Sequence, residues 1–269
     1  VIGKEKPEQF TTTFTANDKI YAVVYLDTRI KDASTSYSTG QYTVNIDGGN
    51  AYYISFGHNE SDYEISYYII ELIPDPNVAV HGLDPIEFAK ILAPLSPREH
   101  TLKLGFGFQY SNPIVTGEIK LDWKDVNPDA ITENNNLASK NAQDNWARNT
   151  VLPDVYSMTS QKFSDPSITN EKIKSLFMGM FPDCVQILKL IITDKKEGYD
   201  EWYVFKNNVG IPEEKRSMRY IYVAYKAKDG WCYFTDGSFL YQDYEGGGKF
   251  GNVQMSGARK TKISCSNVK

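Results

Sequence analysis

All three histidines of this chain (His58, His81 and His100) lie in its first half, and all three cysteines (Cys184, Cys232 and Cys265) lie in its second. Between them runs DAITENNNLASKNAQDNWARN, residues 129–149, a polar stretch rich in asparagine. This segregation predicts two domains, 1–123 and 156–269, joined by a connector over 124–155. Both pieces have ordinary domain size, since domains run about 100–150 residues at the mode. The same segregation keeps every Cys–His pair far apart in sequence. That removes the shortest routes to a metal centre or an activated cysteine.

Within 1–123 the pattern is strands separated by turns. Residues 19–27 (KIYAVVYLD) form a nearly continuous apolar run. Residues 41–46 (QYTVNI) alternate, Asp47-Gly48-Gly49-Asn50 is a turn signal, and 51–56 (AYYISF) supplies the hairpin partner. Residues 64–73 read as a strand stopped by Pro74-Asp75-Pro76. Residues 85–92 (PIEFAKIL) read as a short helix with Asp84 and Pro85 at N-cap and N1. Residues 100–110 and 117–123 alternate again. About six or seven short strands with regular turn signals predict an antiparallel β-sandwich. In the connector, Leu137, Ala138, Ala142 and Trp146 recur at helical intervals. It reads as a polar helix laid on a surface by Trp146, or as a partly ordered linker ended by Pro153.

In the second domain, 167–181 is an amphipathic helix with Thr169 at its N-cap and Ile173, Leu176, Phe177 and Met180 on one face. Pro182 stops it. Residues 185–193 and 201–206 flank a charged turn and read as a hairpin. Residues 216–228 read as one long alternating strand, turned by Lys228-Asp229-Gly230 into 231–241. Short strands over 252–255 and 260–265 follow. The fold class is therefore mainly β with an α+β second domain, a helix against a curved antiparallel sheet. This element order resembles the cystatin/NTF2-like class of architecture. The resemblance is one of order alone and implies a sheet wrapped on a helix, whose concave side often leaves a ligand pocket.

Charge narrows the partners. Residues 1–123 carry 9 Lys+Arg against 16 Asp+Glu, a net −7, and residues 156–269 carry 17 against 13, a net +4. Neither half is the strongly basic surface that nucleic acid requires, so no nucleic-acid partner is expected. No run approaches the roughly 20 apolar residues of a transmembrane helix. The chain opens on Val1, and the expectation is that a signal or lipid-anchor segment lies upstream. An extracytoplasmic protein is expected, whether periplasmic, secreted or held at the cell surface as a lipoprotein. One glycosylation sequon, Asn59-Glu60-Ser61, adds little to this. Cys232 and Cys265 sit on two strand-like runs, which leaves two readings open: a cross-strand disulfide suited to an oxidising compartment, or two buried thiols. Cys184 reads as a small buried hydrophobe.

No Gly-x-Ser-x-Gly, His-Glu-x-x-His or Cys-x-x-Cys motif occurs, so no catalytic residue is assigned and the reading leans away from an enzyme. His58 with Asn59, Glu60 and Asp62 lacks the spacing of a calcium loop, and neither a metal nor a cofactor is expected. The expected ligand-binding loop is YQDYEGGGKF, which gathers Tyr241, Asp243, Tyr244, Glu245, Lys249 and Phe250 around three glycines. It is not a phosphate loop, because Phe250 follows Lys249 and no helix pattern follows. Aromatic residues cluster twice: Tyr52, Tyr53, Tyr67 and Tyr68 early, then Trp202, Tyr203, Trp231, Tyr233, Tyr241 and Tyr244. Exposed rings in either set would stack on sugars or anchor a protein. The expected function is non-catalytic: binding of a protein or glycan partner, or scaffolding of an assembly. The alternative is a hydrolase or small-ligand binder with a pocket in the second domain lined by Asp236, Asp243 and Tyr222.

Overall fold

The computed structural model describes residues 10–58, 62–78, 84–109 and 111–269. The chain is mostly β with some helix and divides into two compact units, 1–144 and 145–269. No described helix is long and apolar enough to cross a membrane.

The first unit contains β1 (Thr13–Thr15), β2 (Ile20–Tyr25), α1 (Ile30–Ala33), β3 (Thr39–Ile46), β4 (Ala51–Gly57), β5 (Tyr67–Ile73), α2 (Asp84–Leu92), β6 (Glu99–Phe108) and β7 (Val115–Asp122). One sheet has the order β1-β7-β6-β3-β4, and β2 pairs with β5 in a second. Alternation decides which face is buried. Tyr42 and Val44 of β3 and Leu102, Leu104 and Phe106 of β6 point into one core. Val24 of β2, Ile70 and Leu72 of β5, and Phe88 and Leu92 of α2 complete it. The β3–β4 hairpin forms where Asp47-Gly48 predicts it, with both residues at positive φ (51° and 73°), as a two-residue primed turn requires. The sheet is not purely antiparallel, since β1 runs parallel to β7. A strand at the start of the described chain reaches β7 through a long connection, so no hairpin constrains its direction.

The segment read as a connector is a helix, α3 (Pro128–Asn149), and the division between units falls inside it. Asn127 Oδ1 accepts the Ala130 N–H at its start, with Pro128 following. Its buried residues are Ile131, Asn135, Ala138, Ser139, Ala142, Asp144 and Ala147. The Asn135 amide donates to the Leu72 and Pro85 carbonyls at 2.8 and 2.7 Å. Trp146 does not anchor this helix: it is 57% exposed, as is Leu137 at 49%. Small side chains let a backbone approach closely, so Ala and Ser make the contact that hydrophobicity assigns to Leu and Trp.

A buried polar cluster sits beneath α2. The Tyr42 hydroxyl donates to Asp84 Oδ2 at 2.6 Å, and Tyr42, Tyr68, Glu71 and Asp84 are all buried. Burial pushes the Asp84 carboxyl up to about 7; the Tyr42 hydroxyl opposes this and the nearby Glu71 charge adds to it.

The second unit contains a 3-10 turn at Asp154–Ser157, α4 (Asn170–Met180), β8 (Cys184–Ile192), β9 (Trp202–Lys206), β10 (Pro212–Ser217), β11 (Ile221–Ala227), β12 (Cys232–Thr235), β13 (Leu240–Gly246), β14 (Lys249–Phe250), β15 (Gln254–Met255) and β16 (Lys260–Ile263). Thr169 caps α4, its Oγ1 accepting the Lys172 N–H. One sheet has the order β16-β12-β11-β8. Its central strand is buried on both faces. Ile221, Val223 and Tyr225 pack with Ile173 and Phe177 of α4, while Ala224 packs with Tyr156, Cys232 and Ile263. The Tyr156 hydroxyl accepts the Thr235 N–H and lies 2.8 and 3.1 Å from the Thr235 and Val223 carbonyls. Cys232 and Cys265 are joined in a disulfide, and Cys184 is free and buried.

Two expectations fail here. β8 and β9 do not form a hairpin: β8 pairs with β11, and β9 pairs with β10. Residues 216–228 are not one strand, because the chain leaves β10 at Ser217 and enters β11, in a different sheet, at Ile221. At this break the Arg219 guanidinium donates to Glu201 Oε2 and to the Thr193 carbonyl, both at 2.9 Å. The single curved sheet expected around α4 is therefore two sheets, the second in the order β14-β13-β10-β9 with β15 on β13.

The disulfide spans 33 residues and should stabilise the second unit by about 3–4 kcal/mol on the chain-entropy estimate. Alkylation after denaturation without reduction should modify one thiol, Cys184, by intact mass, and reductant should lower the melting temperature. Three alkylated thiols, or melting indifferent to reductant, would remove the bridge. A second expectation concerns Asp84. An acid whose folded value lies above its usual 3.8 contributes stability that is present below 3.8 and lost as pH rises to about 7. Chemical denaturation between those limits should show the native chain losing stability relative to Asp84→Asn as pH rises. Parallel curves would sink this account.

Candidate functional site

The second sheet of the second unit has one packed face and one open face. Trp202, Leu240 and Met255 turn to the core beneath α4. In β9, Tyr203 and Phe205 turn the other way, by strand alternation. Register sets their neighbours: Arg216 of β10 pairs with Tyr203 on one side and Tyr241 of β13 on the other, and Glu214 pairs with Phe205 and Asp243. The open face thus carries rings and charges in adjacent rows.

The rings continue beyond β9. Tyr199 stands 5.4 Å from Tyr203, and Tyr203 stands 5.0 Å from Phe205, each pair edge to face. The Arg216 guanidinium lies over Phe205 at 4.6 Å and over Phe239 at 4.3 Å. It also pairs with Glu214, while its Nε–H is buried without a hydrogen-bond partner. The Lys196 ammonium lies over Tyr199. Lys196, Tyr199, Tyr203, Phe205, Arg216 and Phe239 line an open groove of about 820 Å³ that also takes in Lys206, Asp200 and Tyr220.

The expected loop is a tight hairpin. Gly246, Gly247 and Gly248 make the β13–β14 turn, all at positive φ. The Gly248 N–H donates to the Tyr244 hydroxyl at 2.9 Å, and Tyr244 packs on Phe250 at 5.4 Å. Tyr241 donates to Gln254 Oε1, and Gln254 donates to Asp243 Oδ2 at 2.7 Å. Tyr241 and Asp243 share the open face with Arg216, but none of the six expected residues, Glu245 and Lys249 included, lines the groove. The concavity expected under α4 is filled by Ile173 and Phe177. Asp236 accepts the Arg259 N–H and Tyr222 packs on Tyr156, so these two do not converge with Asp243 on a pocket.

Elsewhere, the described histidines and the free cysteine have structural surroundings. His58 Nδ1 lies 2.6 Å from the Tyr37 carbonyl and so carries the proton, leaving Nε2 buried and unpartnered among the rings of Phe56, Tyr68 and Phe108. Burial pushes its pKa down, against the raising effect of the Tyr37 carbonyl. His100 bonds Asp47 and the Ser96 carbonyl, both at 2.8 Å. Asn59, Glu60 and Ser61 of the sequon, and His81, lie outside the described residues. No group of three or more metal-binding side chains occurs among the described residues. Burial pushes the Cys184 thiol up, away from its reactive form. Tyr52 and Tyr53 are exposed, but as strand neighbours they face opposite ways, and Tyr68 is buried, so the early tyrosines make no flat patch.

Sequence reasoning named Tyr203 among the aromatics but missed Tyr199, Phe205, Arg216 and Phe239. The alternation of WYVFK signals Tyr203 and Phe205 on one face. Placing Arg216 between Phe205 and Phe239 requires the strand register. No protein-family model matches the chain, and neither a curated protein nor a solved structure does so.

Proposed function

We propose that this chain is a non-catalytic binding protein that works outside the cytoplasm, in association with the cell surface, and holds a protein or glycan partner in the aromatic groove along β9. One observation carries the reading: an open groove lined by Tyr199, Tyr203, Phe205 and Phe239 with a guanidinium among them. Aromatic and arginine side chains are the groups that dominate partner binding when they are clustered and desolvated. The lining holds one carboxylate, Asp200, and no histidine or cysteine, a set suited to holding a partner rather than to proton transfer. The Cys232–Cys265 disulfide supports an oxidising compartment. A second reading, a small-molecule binder, draws on the groove's size, since ligand sites run about 300–1,000 Å³.

Tyr203 tests this reading because it is 44% exposed and its removal leaves the core intact. Glycan arrays, peptide display and a small-molecule set should yield a ligand whose affinity falls about tenfold in Tyr203→Ala, with unchanged melting. A polymeric ligand supports the leading reading and a small one the second. Ligands indifferent to Tyr203→Ala, or none at all, would overturn both.

A further inference from the structure

We infer that the groove takes an extended, acidic polypeptide segment, which adds to the free edge of β9 as a further strand. The inference rests on the groove being the binding surface and names what it binds.

The first ground is geometric. All five consecutive residues of β9, Trp202 to Lys206, line the groove. Successive side chains of a strand point to opposite faces, so a wall built from every residue of a strand is that strand's edge. β9 is the terminal strand of its sheet and pairs only with β10 among the described residues. Its outer N–H and C=O groups are therefore available to a strand laid alongside.

The second ground is what the edge lacks. Exposed edges are commonly blunted by proline, by bulges or by inward-pointing charges. WYVFK has no proline, and its single charge is at its end. The bulge in this pair falls on the β10 side, between Pro212 and Glu214. An unprotected five-residue edge recessed in a groove is a template for strand addition, the mode in which main-chain bonds supply affinity and side-chain pockets supply specificity.

The third ground is charge. The lining carries Lys196, Lys206 and Arg216 against Asp200, and Glu214 pairs with Arg216 beside it, which leaves a net +1 in a chain of net −5. Arg216 lies over Phe205 and Phe239 and is already paired with Glu214, so Lys196 and Lys206 are the cations offered to an acid. A second copy of the chain is a poor occupant, because a two-fold pairing brings the same three cations together. A glycan is also disfavoured. Sugar stacking calls for a row of rings sharing one plane, and Tyr199–Tyr203 and Tyr203–Phe205 are inclined at 76° and 75°. Rings set edge to face leave slots between them, which suit the alternate side chains of a strand.

The test uses the whole chain. Random twelve-residue peptides are displayed and selected against it, and oligogalacturonate is tested in parallel as an acidic glycan. Selected peptides should be acidic with alternating apolar residues. Binding should protect the amides of residues 202–206 from hydrogen exchange. N-methylation at alternate backbone positions of a selected peptide should weaken it roughly tenfold or more, as should Lys196→Glu with Lys206→Glu. Peptides that bind through Tyr203 without protecting those amides, or that tolerate N-methylation in both alternate registers, overturn strand addition and leave the groove reading standing. So does oligogalacturonate binding lost in Tyr203→Ala with no peptide selected. If no probe binds through Tyr203, both readings fall.

Discussion

The second unit depends on a corner made by Arg219. Its side chain and that of Glu201 are each 12% exposed, and they pair at 2.9 Å while the guanidinium also takes the Thr193 carbonyl. The Ser217 hydroxyl donates to the Arg219 carbonyl and accepts the Leu240 N–H, which fixes the chain as it leaves β10. Removing one partner of such a pair strands a charge away from water and costs about 3–5 kcal/mol. The corner also sits where the chain passes from one sheet to the other. Because the chain turns there, β11 is free to pair with β8 in one sheet while β10 pairs with β9 in another. β9 is left at the end of its sheet, and the groove is the space beside it.

Local signals in the sequence predict local structure well. Asp47-Gly48 and Asp229-Gly230 both make the hairpin turns they predict, with positive φ at Asp47, Gly48 and Gly230. Thr169 caps α4, and Ile173 and Phe177 are its buried face. These features depend on residues a few positions apart. The failures all involve distant partners. Nothing at 217–220 is a glycine or proline, so the break between β10 and β11 has no local marker; the partners of Arg219 there, Glu201 and Thr193, lie well upstream. The supposed β8–β9 hairpin is plausible by composition, but β8 finds a more apolar partner in β11. The buried stripe of α3 is invisible to hydrophobicity because Asn135 is satisfied by two carbonyls and Ala138 and Ser139 contribute by being small.

The candidate site was legible in part. An aromatic surplus was evident, and part of it is core: Tyr42, Tyr156 and Tyr225 are among the largest fully buried side chains. The glycine run drew attention to the β13–β14 hairpin, where the glycines serve the turn itself. Tyr244 and Phe250 pack across it, so the aromatics there close the hairpin on itself. The rings that remain open to a partner lie on the opposite end of the same sheet, where the sequence shows only an ordinary strand.

That opposition follows from how the two sides of the unit are covered. On the α4 side, Phe177 packs on Tyr225 at 5.3 Å and on Phe181 at 4.7 Å, filling the hollow where a pocket was expected. On the other side no element covers β9 among the described residues, and the side chains compensate for one another instead. The Arg216 guanidinium lies over two rings, and the Lys196 ammonium lies over Tyr199. A cation over a ring shields apolar surface from water and still carries charge toward an incoming group. A groove built in this way remains soluble while empty and still offers both apolar surface and charge to a partner.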